Sequence, residues 1–459
     1  MKPSNTLTAT RRAGWLAACF VLLISGHLAW AERIIIEGVT LIDGTGTPPR
    51  PAMTVVIDDG RFIGIGPDAP SGYHSGRRVD GRGKFLIPGL MDMHVHLQGG
   101  VEVTPRRLRS AGNDREKGQR ALHSYLFSGV TAIYDAGNNP DFIFSLRADE
   151  RAGRIDSPRI FAAGGVVTAP GGHGSDVGAT LVESWPQDRK AMAEHLDKQP
   201  DLVKFTFDER GWGARPLIPL LDLDIMQTLI EYCNDGGIRT TAHVSSERRA
   251  RQAIYAGIDN LSHPVIQGPI TDAFARLMAA KKIPMTSTLT IGENYSRLAE
   301  HPEFLQQALY QQALSPEETE HLGSVTRNAY QKDMWTWWMK LMTPVAQENL
   351  RSIHEAGGIV VLGTDQTLGP AVHREAELLQ AAGIPPLDII RMATLNGAIF
   401  LGRERDMGSI ETGKLADAVL LDSDPSVDID NLKHIAIVIK DGRIIDRDRL
   451  RQPATSGAR

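Results

Sequence analysis

The chain has 459 residues, of which 42% are hydrophobic and 23% are charged. These fractions are ordinary for a soluble globular protein, and the length is enough for one large domain or two of average size. The formal net charge is −5, and this acidic balance argues against nucleic acid as a partner.

Residues 1–31 have the pattern of a secretory signal peptide. Three cationic residues precede an apolar stretch, and Ala29-Trp30-Ala31 forms an AxA cleavage site. We expect cleavage after Ala31 and export, most simply to a bacterial periplasm. Cys19 lies in a stretch that resembles a lipoprotein box, but almost no apolar run precedes it. After cleavage, no segment is apolar over enough residues to span a bilayer, so we expect no membrane insertion.

Both ends of the mature chain show short strands separated by turns. Residues 32–85 contain Asp59-Gly60 and residues 403–459 contain Asp441-Gly442, and each pair stands between apolar β-branched runs. Asp-Gly between such runs is a strong hairpin signal. The two ends therefore predict one small β-sandwich domain built from both termini.

Between these ends, residues 86–402 alternate short apolar strands with helical stretches. This alternation is typical of parallel sheets with crossover helices. The candidate strands end near His96, Asp135, Val167, Phe205, His243, His263, Leu289 and Asp365. Eight βα units over this length predict an α/β fold, a (β/α)8 TIM barrel, whose active site lies at the carboxyl ends of the strands.

A mostly helical insertion is expected at 292–343. It holds Trp335, Trp337 and Trp338. These side chains either form the core of the extra helices or act as a lid or apolar wall over the barrel mouth, where small-molecule sites lie.

Polar residues stand at the ends of several predicted strands. His94 and His96 are separated by one residue on a predicted strand, so both rings lie on the same face of it. Two imidazoles side by side suit a borderline metal such as zinc. A lysine inside an apolar strand is costly unless a partner compensates its charge. The residues concerned are His94, His96, Lys204, His243, His263 and Asp365.

The order of these motifs resembles the amidohydrolase superfamily. The stretches that carry the resemblance are PGLMDMHVHL, VKF, AHVSS, NLSHP and LGTD, with GSIETGKLADAVLLDSDP near the carboxyl end. Within the superfamily, the chain looks closest to the imidazolonepropionase-like and prolidase-like branch.

The resemblance implies two divalent metal ions, of which zinc is the expected kind, about 3.5–4 Å apart. His94 and His96 would bind the more buried ion, and His243 and His263 the other. Lys204 would carry a carbamate that bridges the two ions. Asp365 would bind the first ion and transfer protons while a bridging hydroxide attacks the substrate carbonyl.

His173 stands in a glycine-rich loop after the third strand. The related branch often has a histidine there that contacts substrate, so His173 is either a catalytic donor to the oxyanion or a solvated loop residue. Asp135, at the end of the second strand, is more simply a structural hydrogen-bond acceptor. Ser262 stands before His263 where many relatives have an acidic residue, which puts the support of that ligand in doubt.

The function we expect is hydrolysis of a C–N bond, in an amide or dipeptide-like small molecule. A lactonase or esterase would use the same hydroxide. A mononuclear zinc deaminase is a further alternative, although such enzymes usually lack the lysine found at Lys204. A barrel that has lost its metals and serves as a scaffold is the non-enzymatic alternative, and a homo-oligomer is compatible with all of them.

Overall fold

The computed structural model describes residues 33–73, 75–97, 114–176, 178–210 and 217–451. The predicted signal peptide at 1–31, with Cys19, lies outside these residues. Within the described ranges, the strands in chain order are β1 (Ile34–Leu41), β2 (Arg50–Asp58), β3 (Arg61–Gly66), β4 (Arg77–Asp80), β5 (Phe85–Pro88), β6 (Leu90–Val95), β7 (Val130–Asp135), β8 (Arg159–Ala162), β9 (Val167–Thr168), β10 (Thr180–Leu181), β11 (Leu202–Thr206), β12 (Arg239–His243), β13 (Asn260–Leu261), β14 (Met285–Thr286), β15 (Val360–Val361), β16 (Ala418–Leu421), β17 (Ile435–Lys440) and β18 (Arg443–Ile444).

Helices follow most of the central strands. In chain order the α-helices are α1 (Arg115–Phe127), α2 (Pro140–Arg151), α3 (Arg189–Asp197), α4 (Leu223–Asp235), α5 (Glu247–Tyr255), α6 (Asp272–Lys281), α7 (Leu289–Glu300), α8 (Ala308–Ala313), α9 (Pro316–His321), α10 (Arg327–Tyr330), α11 (Met334–Glu355), α12 (Ala371–Ala381), α13 (Pro386–Met392) and α14 (Leu395–Leu401). Across the described ranges, these helices include none with the length and apolarity needed to cross a membrane.

One sheet draws its strands from both ends of the chain. Its order is β18-β17-β16-β5-β1-β2-β3, and β4 pairs with β1 at one side. β5 holds the two ends together, because it pairs parallel with β1 and antiparallel with β16. The sheet has its own buried core, with Ile36, Val55, Leu86 and Leu420 among its members. The expected β domain built from both termini is therefore confirmed, and its described strands form one sheet. Its division into the two facing sheets of a sandwich stays a prediction.

The two predicted hairpins are present. Asp59 and Gly60 join β2 to β3 with φ angles of 45° and 72°, and Asp441 and Gly442 join β17 to β18 with φ angles of 51° and 70°. Positive φ at both central residues is the backbone of a type I′ turn, which matches the twist of the strands it joins.

The central strands form two parallel sheets. One has the order β6-β7-β8 and the other has the order β10-β9-β11-β12-β13-β14-β15. The chain after β15 returns to β6, where Val95 pairs with Gln366 and the Asp365 N–H donates to the His94 carbonyl at 2.7 Å. This α/β arrangement places the carboxyl ends of β6, β11, β12 and β15 at one side, where a parallel fold carries its site.

Two predicted strand ends were wrong. The eighth strand, expected to end near Asp365, ends at Val361, whereas the strand end expected near Val167 agrees with β9. The seventh, expected to end near Leu289, ends at Thr286, and Leu289 begins helix α7. The reason is a buried carboxylate: Glu375 accepts the N–H groups of Leu289 and Thr290, each at 2.8 Å, and so caps the helix start.

The insertion predicted at 292–343 is helical, as expected, and the helices that bound it extend beyond those limits. Trp335 and Trp338 are partly buried against the main core, whereas Trp337 is 60% exposed. The packing of the first two favours the core interpretation over the lid. The predicted domain limits are not otherwise tested and remain predictions.

Candidate metal centre

The predicted site residues lie in the central parallel strands or shortly after them, towards the carboxyl ends of the strands. His94 lies in β6, Lys204 in β11, and His243 is the last residue of β12. His263 and Asp365 follow β13 and β15 within a few residues. All of them except His96 and Asp365 are buried, and those two are partly exposed.

The tightest group consists of His94, His96 and Asp365. Nε2 of His96 lies 3.3 Å from Oδ1 of Asp365, and Nε2 of His94 lies 3.9 Å from the same oxygen. One ligand atom from each of the three residues lies within 4.8 Å of the others. Nζ of Lys204 approaches this group, at 3.5 Å from His94 Nε2. Two imidazoles, a carboxylate and an amine nitrogen therefore meet around one small volume.

The other three histidines adjoin this group through ring contacts. The His263 ring centroid lies 4.3 Å from that of His94 and 4.4 Å from that of His243. His173 stacks on His243, with centroids 4.3 Å apart and an interplanar angle of 23°. The structure thus brings all seven predicted site residues into one cluster, although their roles as ligands or donors remain predictions.

Backbone carbonyls fix the first two histidine rings. Nδ1 of His94 lies 2.9 Å from the Ser262 carbonyl oxygen, and Nδ1 of His96 lies 2.6 Å from that of Gly137. A carbonyl oxygen only accepts, so Nδ1 carries the proton in both rings. In a neutral imidazole the lone pair is then on Nε2, the atom that faces Asp365. Ser262 supports His94 in this way, whatever its effect on His263.

Side chains fix the other two rings. Nε2 of His243 lies 3.2 Å from Oδ2 of Asp208, and Nδ1 of His263 lies 3.0 Å from Oγ1 of Thr288. Burial alone would raise the pKa of Asp208, but the hydrogen bond from His243 holds it below its ordinary value. The carboxylate therefore accepts from His243 Nε2, which leaves the lone pair of a neutral ring on Nδ1. Each of the four rings has an outer partner of the kind that orients metal ligands.

Burial disfavours the charged forms of the cluster's bases. It lowers the pKa of His94, His263 and His173 well below the ordinary value, with further lowering by neighbouring cationic groups. Burial also lowers the pKa of Lys204 to about 7, against the attraction of Asp365 and Asp135. Neutral nitrogens with available lone pairs are what a metal site requires of such groups.

A buried carboxylate and a glycine hold β6 against the chain after β15. Asp92 accepts the N–H of Thr364 at 2.9 Å and its hydroxyl at 2.6 Å, and burial raises the pKa of Asp92 to about 8. At Gly363, an added Cβ would lie 2.3 Å from Thr286 Cγ2 and 2.9 Å from the His94 nitrogen. Only glycine therefore allows the backbone of the LGTD motif to approach His94 this closely.

Sequence reasoning missed Asp208, Thr288, Glu375 and Asp92. Asp208 and Thr288 belong to loops after strands, where polar residues are common and carry no motif. Thr288 adopts a left-handed backbone with φ of 35° just before α7, which is rare for a β-branched residue and marks a constrained site. Asp135 is, as expected, a structural acceptor: Leu97 N–H, Gly137 N–H and Asn138 Nδ2 donate to it.

The donor set fits divalent metal ions. Imidazole nitrogens with one nitrogen fixed from outside, together with a carboxylate, are the ligands that zinc and similar ions take in proteins. One ligand atom from each of His94, His96 and Asp365 lies within 4.8 Å of the other two. The residues present therefore suit the metals that the sequence resemblance implies.

The sequence is similar to those of known proteins. Residues 85–445 match the amidohydrolase family. An uncharacterised protein of Mycobacterium tuberculosis is 28% identical over 56% of this chain. The match covers 63% of the length of that relative, which is less than two thirds. Ochratoxinase of Aspergillus niger is 23% identical, over 87% of this chain and 83% of the relative.

Solved structures show the same fold. The crystal structure of A. niger ochratoxinase superposes with a TM-score of 0.74 at 19% identity, over 93% of this chain and 99% of that one. A Xaa-Pro dipeptidase with bound methionine in its active site gives a TM-score of 0.71 at 23% identity, over 90% of this chain and 99% of that one. The fold is that of amidohydrolases, with a separate β domain. By its sequence match and its fold, the chain belongs to the amidohydrolase family.

Proposed function

We propose that the protein is a metal-dependent hydrolase that cleaves a C–N bond in a small amide or dipeptide-like molecule. The observation that carries the proposal is the position of Lys204, whose buried Nζ lies 3.5 Å from Nε2 of His94. A buried ammonium is costly, and conversion of the amine to a carbamate would turn this cation into an anionic ligand. The names of relatives such as ochratoxinase and Xaa-Pro dipeptidase suggest the amide class.

Two divalent ions would be held in this proposal, one by His94, His96 and Asp365 and the other by His243 and His263, with the Lys204 carbamate between them. Such ions supply Lewis acidity and lower the pKa of a bound water towards neutrality. Zinc is the expected metal because the ligands are imidazole and carboxylate.

The chain's own groups would then handle the protons. The Asp365 carboxylate, 3.3 Å from His96 Nε2, would take the proton of the attacking water and deliver it to the leaving nitrogen, because an amine leaves poorly unless it is protonated. His173, stacked on His243, would lie at the edge of the cluster and donate to the oxygen that gains charge. In this scheme Asp365 is the general base and acid, and His173 is the oxyanion donor.

The test is hydrolysis by the metal-loaded full chain, prepared in bicarbonate. The substrates tested are dipeptides, N-acyl amino acids, lactones and an aminated heterocycle, and the release of amine, acid and ammonia is followed. We expect the wild type to release amine from the amides. We expect Lys204→Ala to lose both this activity and the bound metal. Faster opening of lactones would favour the esterase alternative, and ammonia release from an aminated ring would favour the deaminase. Full activity in Lys204→Ala would refute the bridging role.

We also propose export of the chain after cleavage behind Ala31, on the basis of the sequence pattern alone. Amino-terminal sequencing of the protein from a periplasmic or secreted fraction tests it. The expected mature protein begins at Glu32. An intact amino terminus, or lipid on Cys19, would contradict simple cleavage.

A further inference from the structure

A cavity of about 50 Å³ lies between the helical insertion and the chain that follows Asp365. One wall is α7, from Thr290 to Leu298, and the facing wall runs from Gln366 through Ala371 to Arg374. Phe304 and Leu305 of the insertion, with other leucines, close the far side. One water molecule needs about 10–15 Å³ of cavity volume, so a cavity of this size holds roughly four heavy atoms if each takes the space of one water.

Both walls begin next to residues of the metal cluster. Thr288, just before α7, contacts the His263 ring at 3.0 Å. Thr290 Oγ1 lies 2.8 Å from the Thr364 carbonyl oxygen, which ties the start of α7 to the strand end before Asp365. Gln366 is the next residue after Asp365 and already lines the cavity. One end of the cavity therefore lies beside the strand ends that carry His263 and Asp365.

The charged groups of the wall already have partners. Arg374 forms ion pairs with Glu293 at 2.7 Å and with Glu377 at 2.6 Å. The Arg297 guanidinium lies 4.0 Å from the Phe304 ring centroid and donates to the Tyr310 hydroxyl at 3.2 Å. A charged ligand would have to disrupt these pairs, so the wall favours a neutral one.

Two buried atoms at the charged wall have no hydrogen-bond partner in the part of the chain that the structure describes. They are Oε2 of Glu293 and Nε of Arg374. The first accepts and the second donates, so together they suit a neutral end group such as a hydroxyl or an amide. Apart from the charged groups, the lining combines apolar side chains, of which Leu298 is only 1% exposed, with neutral polar ones. The neutral polar residues are Thr290, Asn294, Tyr310, Gln366 and Thr367.

We infer that this cavity receives a neutral, mainly apolar substituent of the substrate, of about four heavy atoms. The inference rests on the proposed function, because it assigns the substituent to the amide cleaved at the cluster. It makes the insertion and the residues after Asp365 determinants of specificity. A longer or charged substituent would be excluded.

A binding measurement tests the cavity without requiring turnover. The probe is 1-propanol, which has four heavy atoms, is neutral and is not hydrolysed. It is added to the metal-loaded full chain, and its binding is followed by saturation-transfer NMR. Ala371→Leu places three more carbon atoms in the cavity, and Leu298→Phe fills it from α7. Ala329→Leu is the matched control, because Ala329 is exposed on the same insertion. We expect the wild type and Ala329→Leu to bind the probe, and Ala371→Leu to bind it with about tenfold lower affinity.

Equal binding by the wild type and both cavity variants, or no binding by the wild type at any probe concentration at which the chain stays folded, would overturn the inference. A second measurement uses N-acyl amino acids from acetyl to octanoyl, and N-acetyl amino acids from alanine to leucine. One of the two series varies the substituent that enters the cavity. In that series, the ratio of kcat/KM for longer members to kcat/KM for shorter members should fall about tenfold in Ala371→Leu. A ratio that stays unchanged contradicts the cavity's role. Absence of any hydrolysis contradicts the proposed function instead, while the propanol result still decides the cavity.

Discussion

Oδ2 of Asp208 lies 3.2 Å from Nε2 of His243, and both side chains are buried. The contact fixes the proton of His243 on Nε2, so the lone pair of the neutral ring is on Nδ1. An outer carboxylate of this kind orients a ligand and raises its basicity.

Replacement of Asp208 by asparagine should therefore weaken metal binding at His243. The expected loss is about 10- to 100-fold in the affinity of one ion, with a parallel fall in kcat/KM. Isothermal titration of the metal-free protein with zinc measures the affinity. Glu209→Gln is the control, because Glu209 is the adjacent carboxylate and its ion-pair partner is Arg249, at a distance of 2.7 Å, and not a histidine. Unchanged zinc affinity in Asp208→Asn, or an equal loss in the control, would contradict the assigned role.

Glu375 should act on the metal centre through the start of α7. Its carboxylate accepts two N–H groups, of Leu289 and Thr290, and lies 2.8 Å from the Thr290 hydroxyl. Glu375→Gln replaces one acceptor with a donor that faces a buried N–H, at a cost of about 1–3 kcal/mol in the free energy of unfolding. Thr288, which contacts His263, should then shift.

The readout that separates this positioning role from simple destabilisation is the zinc affinity of the folded variant, measured well below its melting temperature. Glu377→Gln, on the same helix and paired with Arg374, is the comparison. We expect weaker zinc binding only in Glu375→Gln. If both variants lose the same stability and neither loses zinc affinity, Glu375 has a structural role alone.

His373 should make the protein less stable in acid. Burial lowers the pKa of His373 to about 4, and its Nδ1 has no hydrogen-bond partner among the described residues. The unfolded chain binds a proton near pH 6.5 and the folded chain does not until about pH 4, so the stability from this residue is lost as the pH falls through that window. The full effect is on the order of 3 kcal/mol.

Urea unfolding of the metal-free protein between pH 7.5 and pH 4.5 measures the difference between variants. His373→Gln should lose less stability on acidification than the wild type, because the glutamine does not titrate. His434→Gln, at an exposed histidine, should follow the wild type. Parallel pH profiles for the wild type and His373→Gln would show that His373 does not contribute.

Much of this account could be predicted from the sequence because strand ends and tight turns are local features. The His94-x-His96 spacing, the apolar run before Asp365 and the two Asp-Gly turns each indicate a geometry that the structure contains. The start of α7 could not be predicted in this way. Residues 286–290 read as a continuing strand, and the carboxylate that turns them into a helix belongs to Glu375, 85 residues beyond Thr290 in sequence.

The outer partners of the histidines were beyond prediction for the same reason. Asp208 is 35 residues from His243, and Thr288 is 25 residues from His263. Nothing in the local pattern of either loop distinguishes them from solvated polar residues. Long-range contacts of this kind become visible only when the fold brings the loops together.

The central claim is a two-metal centre bridged through Lys204, and the metal content of the purified protein tests it most directly. The full chain is purified without chelator in bicarbonate, and divalent ions per chain are counted by mass spectrometry, with Lys204→Ala beside it. We predict two ions per chain in the wild type and a loss of metal in the variant. One ion in both proteins would contradict the bridged centre and favour the deaminase chemistry, and none, with no recovery on adding zinc, would contradict a metal-dependent enzyme altogether.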